Sequence, residues 1–146
     1  MITYKEVSIE DIAEVSLLYV EAFNAPPWND EWTADTAANR LHQLILTPDF
    51  YGLCAYMHGA LCGMILGSAE QFYNGVSFYI REFCVAPGLR GQGIGTQILS
   101  EYESRLALKG IKSIWLLTSR QDGTEGFYEH RGLKPYNHMV MMGKHL

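Results

Sequence analysis

The chain lacks paired cysteines, metal-ligand histidine spacing, a long apolar run and an excess of basic charge, and each absence removes a class of function. Cys54, Cys62 and Cys84 are an odd count without C-x-x-C spacing. A disulfide framework or zinc knuckle is therefore not expected, and the thiols read as reduced core residues. His42, His58, His130, His138 and His145 show no spacing such as H-x-x-x-H, so no metal is expected. No apolar stretch approaches a membrane span, and the first residues hold acids and no signal-peptide hydrophobic region. The expectation is a cytoplasmic protein with no membrane partner. A formal net charge of -5 argues against nucleic acid and leans toward a cationic ligand. Repeats, low-complexity runs and linkers are missing too. With 146 residues and 48% hydrophobic content, one domain spanning 1–146 is expected, with no room for two.

What is present concentrates in residues 85–99. Residues 78–85, rich in aromatic and β-branched side chains, read as a buried strand that Pro87-Gly88 ends. Then come Arg90-Gly91-Gln92-Gly93-Ile94-Gly95 and a helix marked by Ile94, Ile98, Leu99, Tyr102 and Leu106. The N–H groups of a first helical turn have no intrahelical partner and carry the positive end of the macrodipole, which makes residues 93–96 an anion cradle. Glycines let the backbone approach the anion, and Arg90 adds a forked cationic donor. Thr96 follows Gly95 with no lysine between, so this is no P-loop. A dinucleotide fingerprint fails as well, because Thr96 and Ile98 stand where its third glycine would fall.

In chain order, residues 2–7 read as a strand, and Ser8 with Asp11 as a capping box opening a helix with Ile12, Val15, Leu18, Tyr19 and Phe23 on its apolar face. Asn24-Ala25-Pro26-Pro27 breaks it, and a second helix begins near Thr33, burying Leu41, Leu44 and Ile45. Residues 50–58 and 60–70 read as strands joined by a tight His58-Gly59 hairpin, followed by a loop at 71–77. After the glycine-started helix come a strand at 113–118, a helix at 124–130 and a strand at 137–142.

Arg-x-x-Gly-x-Gly behind a strand ending in Val-x-Pro resembles the coenzyme A motif of the GNAT superfamily of acyl-CoA N-acyltransferases. Phe127-Tyr128 followed by Gly132-Leu133 is similar to the family's C-terminal helix, and the element order follows along essentially the whole chain. The resemblance implies an α/β GNAT fold, with a mixed central sheet of six to seven strands flanked by about four helices. It implies an acetyl-CoA co-substrate, no metal, and transfer of an acetyl group to a primary amine of a small molecule by direct attack. By the same resemblance Phe83, Cys84 and Val85 border the pantetheine arm, and Arg90, Gly91, Gln92, Gly93, Ile94, Gly95 and Thr96 hold the pyrophosphate. Tyr128 takes the role of the acid that protonates the departing thiolate. A homodimer is an expectation of the same kind. Two positions depart from the family pattern, Gln121 where Asn is common and Thr124 where Ala is common.

Amines are protonated at neutral pH, so the reaction also needs a base. Glu82, eight residues before Arg90, is the first candidate and Glu70 the second; the alternative for Glu82 is an ordinary salt bridge. Strand alternation puts Glu82 and Ile80 on one face, Arg81 and Phe83 on the other. Trp28 and Trp32, with Asp30 and Glu31 between them, form either an amine-binding wall or a loop pinned by two indoles. Glu70 and Tyr73 are further substrate candidates. Cys84 reads as a packed thiol in preference to a nucleophile, since no histidine lies near it in sequence. Met139, Met141 and Met142 read as core or dimer packing. Two other readings stay open, a non-catalytic acyl-CoA-binding sensor and an acetyltransferase for protein N-termini or lysines.

Overall fold

Strands with nearly unbroken apolar runs need cover on both faces, and the middle of this chain has several. In the computed structural model, which describes residues 1–120 and 123–146, β1 (Ile2–Glu6), β2 (Phe50–Met57), β3 (Ala60–Phe72) and β4 (Gly75–Val85) form an antiparallel meander. A short β5 (Ile114–Leu116) joins β4 in parallel, so the sheet order is β1-β2-β3-β4-β5. Helices α1 (Ile12–Asn24) and α2 (Ala34–Ile45) pack on one face, where Val15, Tyr19, Leu41, Met64 and Leu66 share a core. Helix α3 (Ile94–Leu108) covers the other with Ile94, Ile98, Leu99, Tyr102 and Leu106, the five positions its sequence periodicity marks. Tyr102 is fully buried, and its hydroxyl donates to the Tyr51 carbonyl at 2.6 Å, tying α3 to β2. A fourth helix, α4 (Thr124–Glu129), follows Gly123.

The local signals operate as expected where they are strongest. Asp11 accepts from the Ser8 N–H at 2.8 Å, completing the capping box ahead of α1. His58 (φ +51) and Gly59 (φ +77) both take the left-handed conformation of a type I′ hairpin turn. The loop expected at 71–77 is much shorter: β3 runs on to Phe72, β4 begins at Gly75, and only Tyr73-Asn74 turn the chain.

The expected sheet of six to seven strands is corrected to five among the described residues. The missing strand is 137–142. There the Met139 N–H donates to the Tyr136 carbonyl at 3.0 Å, closing a turn at Asn137-His138, and the following residues run without strand pairing. Met139, Met141 and Met142, expected in core or dimer packing, are exposed in this chain, which corrects the core alternative.

Candidate active site

The central strand is set by one glycine. Opposite β4, Leu66 registers with Glu82 and Gly67 with Ile80, so Arg81 is the extra residue of a β-bulge. A Cβ on residue 67 would lie 2.0 Å from the Tyr79 carbonyl oxygen, which is why glycine stands there. The bulge reverses the facing of everything after it. Phe78 and Ile80 point into the α3 core, whereas Cys84 packs in the α1–α2 core and Glu82 bonds to side chains of those two helices. Glu82 and Ile80 therefore lie on opposite faces, correcting the strict alternation expected from sequence.

Glu82 is held by two residues that sequence reasoning did not single out. The Tyr19 hydroxyl donates to it at 3.1 Å, and Arg40 donates through Nε at 3.0 Å and lies at 2.9 Å through its terminal nitrogen. All three contacts fall on Oε1, and Oε2 has no hydrogen-bond partner among the described residues. The Glu82 side chain is only 10% exposed. Burial lifts its carboxyl above the ordinary range, and the charge and hydrogen bonds of Arg40, with the bond from Tyr19, pull it partly back. The Tyr19 phenol is raised by burial first and by the Glu82 charge second. The salt bridge, one of the two alternatives in the sequence, is present and engages one oxygen of the carboxylate.

Tyr128 on α4 packs its ring against Phe127, with centroids 5.1 Å apart, and against Phe83 at 6.4 Å. Burial first, then the charges of Glu82 and Cys84, push its phenol up to about 12. Its hydroxyl has no hydrogen-bond partner among the described residues and stays protonated across the neutral range. Cys84 is buried, with its thiol raised by desolvation above all, as a packed thiol should be.

Strand β4 parts from β5 just before Glu82. Pairing covers Phe78, Tyr79 and Ile80 against Ile114, Trp115 and Leu116 and ends there, while Phe83, Cys84 and Val85 remain bonded to β3 on their other side. The backbone edge of Phe83 to Val85 turned away from β3 thus has no strand partner among the described residues. At its end the chain turns through Pro87–Leu89 into the glycine loop. Gly91 (φ +77) and Gly93 (φ +81) are left-handed, and nothing lies within 4 Å where their Cβ atoms would be. The N–H groups of residues 91–96 find no acceptor among the described residues, since the first bond of α3 is from the Gln97 N–H to the Gly93 carbonyl at 3.2 Å. Gly91, Gln92, Gly93, Ile94, Gly95 and Thr96 thus form an open array of donors.

The cation expected over that array sits elsewhere. Arg90 donates to the carbonyls of Ala22 and Pro26, each at 2.7 Å, and its guanidinium lies 4.9 Å from the Trp28 ring, so it clamps the end of α1. Arg131, which sequence reasoning passed over, brings the charge instead. It donates to the Thr96 hydroxyl through Nε at 3.0 Å and through Nη2, and to the Phe127 carbonyl at 2.8 Å, stacking 4.0 Å above the Phe127 ring. The first turn of α3 is thereby braced by the end of α4.

Of the substrate candidates, Trp32 packs edge-on against Tyr19 at 4.9 Å and donates its indole N–H to Asp30 at 3.1 Å. It therefore borders the group that holds Glu82. Trp28 packs on Phe23 at 5.3 Å and against Arg90, pinning its loop. Glu70 lies four residues along β3 from the position facing Glu82, about 13 Å at roughly 3.3 Å per residue. Tyr73 is fully exposed on the β3–β4 turn. The structure brings neither to Glu82. Thr124, at one departure from the family pattern, donates to the Ser119 carbonyl at 3.0 Å and accepts from Thr118 at 2.9 Å. Gln121, the other, lies outside the described residues.

Comparison with known proteins agrees with this architecture. The family model described as Acetyltransferase (GNAT) family matches residues 12–133. An acetyltransferase of Sodalis glossinidius is 27% identical over 139 residues, covering 94% of this chain and 90% of the relative. An aminoglycoside acetyltransferase from an uncultured soil metagenomic sample, solved in complex with sisomicin, aligns with a TM-score of 0.76 at 16% identity, covering 99% of this chain and 96% of that one. A predicted acetyltransferase from Clostridium acetobutylicum, solved with acetyl-CoA, aligns with a TM-score of 0.72 at 15% identity, covering 98% and 96%. At these identities the solved structures speak to the fold, and the family model, spanning most of the sequence, speaks to descent: the chain belongs to the GNAT family of acetyltransferases.

Proposed function

We propose that this acetyltransferase moves an acetyl group from acetyl-CoA to a primary amine of a small molecule by direct attack of the amine on the thioester. The observation that carries the reading is the division of labour within Glu82. Oε1 is fixed by Tyr19 and Arg40, while Oε2 has no hydrogen-bond partner among the described residues, on a residue just past the end of the β4–β5 pairing. The donors of residues 91–96 suit the pyrophosphate of coenzyme A, and the free edge of Phe83 to Val85 suits the amides of its pantetheine arm. The thioester then lies between Glu82 and Tyr128.

Glu82 accepts a proton from the ammonium through Oε2, directly or through one water, and burial makes it a stronger base than an exposed carboxylate. Arg40 opposes the burial that favours the protonated form of Glu82. The amine nitrogen forms its bond to the thioester carbon, the carbon–sulfur bond breaks as Tyr128 gives its proton to the sulfur, the second proton that the nitrogen must lose returns through water to the Tyr128 oxygen, and the proton on Glu82 leaves to solvent. Fixing both reactants in one cleft supplies the remaining gain by placement. The carboxylate and the bordering Trp32 favour a cationic acceptor, and the complex of the aminoglycoside acetyltransferase with sisomicin supports the amine class without naming the amine.

The test is a panel of aminoglycosides, polyamines, amino acids and peptides incubated with acetyl-CoA while free thiol is monitored. Thiol release that requires a small amine and collapses in Glu82→Gln is expected. Tight acetyl-CoA binding without release for any acceptor would make the chain a binding module. Release with peptides alone would make it a protein acetyltransferase.

A further inference from the structure

Most arginines of this chain spend their charge or their donors inside it. Arg40 bonds to Glu82, Arg90 to the carbonyls of Ala22 and Pro26, Arg131 to Thr96 and the Phe127 carbonyl, and Arg105 and Arg120 pair with Glu101 and Glu125. Arg81 is the exception. It is half-buried, has no hydrogen bond or ion pair among the described residues, and holds its guanidinium 4.7 Å from the centroid of the Tyr79 ring. That ring stacks in turn on Trp115, with centroids 3.9 Å apart and planes within 12° of each other. An aromatic face steadies a guanidinium without occupying its N–H donors.

The bulge brings this group beside Glu82. Tyr79 registers with Ser68 and Glu82 with Leu66, two residues apart on β3, which is about 6.6 Å at roughly 3.3 Å per residue. Phe78 and Ile80, like Ile114 and Leu116 on β5, pack in the α3 core. Tyr79 and Trp115, between them, therefore face the side of the sheet on which Glu82 meets Tyr19 and Arg40. Arg81 lies over Tyr79 on that same side. Burial raises the Glu82 carboxyl and Arg81 is among the groups that pull it back, so the two charges act on each other. Glu82 is nevertheless already paired with Arg40, and Glu70, further along the same face, makes no ion pair among the described residues. A guanidinium steadied by a ring, partly withdrawn from water and without an acceptor of its own is suited to an anion brought by a ligand.

We propose, resting on Glu82 as the base, that Arg81 selects the acceptor and that this acceptor is an amine carrying an anionic group, a carboxylate or a phosphate, on the same small molecule. The ammonium end goes to Glu82 and the anionic end to Arg81. A second ammonium in place of the anion, as in polyamines and aminoglycosides, meets Arg81 as a like charge and is disfavoured. The net charge of -5 does not oppose this choice. It is spread over the whole chain, and solvent screens distant charges, whereas selection is made by the groups that touch the acceptor.

The experiment measures binding first, so that it stands apart from turnover. The intact chain is saturated with coenzyme A, which has no acetyl group to transfer, and titrated in a calorimeter with matched pairs: glycine, β-alanine and γ-aminobutyrate against their amides, and phosphoethanolamine against ethanolamine, with spermidine as the polycation. Wild type is expected to bind the anionic member of a pair about 10–100-fold more tightly than its neutral partner, the range of a hydrogen bond to a charged group. The pair with the larger ratio tells carboxylate from phosphate. Arg81→Met is expected to abolish the ratio and Arg81→Lys to keep part of it. In initial rates, Arg81→Met is expected to raise KM for the anionic acceptor by about the same 10–100-fold, with kcat changed far less. Equal affinity within every pair in wild type overturns the proposal, as does tightest binding of spermidine or no binding of any anionic member. So does a loss in Arg81→Met that is the same for both members of each pair, the result of a purely structural role. Thiol release that persists in Glu82→Gln refutes Glu82 as the base, and it is read separately from the affinity ratio, which decides the role of Arg81.

Discussion

Replacing Gly67 by alanine tests how the fold places the base. The new methyl would lie 2.0 Å from the Tyr79 carbonyl oxygen and 2.9 Å from the Phe78 ring, so the strands must part by about 1.4 Å to reach an ordinary contact of 3.4 Å. The obstructing atom is backbone within the β3–β4 ladder, and no side-chain rotation relieves it. Overpacking of this kind costs about 1–3 kcal/mol, and a broken ladder bond adds about 1 kcal/mol, giving about 2–4 kcal/mol together. At about 2–4 °C per kcal/mol for a domain of this size, Tm should fall by about 5–15 °C in a thermal melt followed by circular dichroism. Gly143→Ala is the control: nothing lies within 4 Å of its added methyl, and its melt should superimpose on wild type. Because the bulge decides which face Glu82 occupies, kcat should also drop, at temperatures where the variant is folded, by more than KM for acetyl-CoA rises. A melting point within about 2 °C of wild type together with unchanged kcat would refute the link between Gly67, the bulge and the base.

Three further perturbations probe the site. Arg40→Met removes the main influence that opposes burial at Glu82, so the carboxyl rises further and is more protonated at neutral pH. Activity at pH 7 should fall about 10–100-fold and recover as pH rises; a pH profile parallel to wild type would exclude Glu82 as the base. Gly93→Val replaces a residue at φ +81 inside the donor array and should raise KM for acetyl-CoA strongly. Arg90→Ala, which frees the end of α1, should instead lower Tm with little change in KM; equal effects on KM would contradict the division between cradle and clamp. Tyr128→Phe should lower kcat about 10²-fold with little change in KM, because a thiolate of pKa about 8.5 already leaves fairly well. Full kcat with a raised KM would make Tyr128 a packing residue.

The elements legible in the sequence are those whose signals are local. The capping box at Ser8 and Asp11, the His58-Gly59 hairpin and the apolar stripe of α3 each depend on residues a few positions apart, and each appears where its pattern lies. The glycine turn that opens α3 is readable for the same reason. What escaped depends on partners distant in sequence. Arg81 becomes a bulge only because residue 67, fourteen positions earlier, is glycine, and alternation within one strand cannot register that. Arg40 and Tyr19 meet Glu82 across 42 and 63 positions, and nothing around either residue announces it. Arg90 and Arg131 were indistinguishable as charges, and only the packing of α1 and α4 shows which one reaches the first turn of α3. Residues 137–142 have the composition of a strand but pair with no strand among the described residues.

The central claim is direct transfer between two substrates held together, and initial-rate kinetics test it most directly. With the best acceptor from the amine panel, thiol release is measured over a grid of acetyl-CoA and amine concentrations, and the acetylated amine is quantified by mass spectrometry. Glu82 and Tyr128 working on one ternary complex predict intersecting double-reciprocal lines and one acetylated amine for each thiol released. Parallel lines, together with an acetyl group trapped on Cys84 or any other side chain when the amine is withheld, would contradict it.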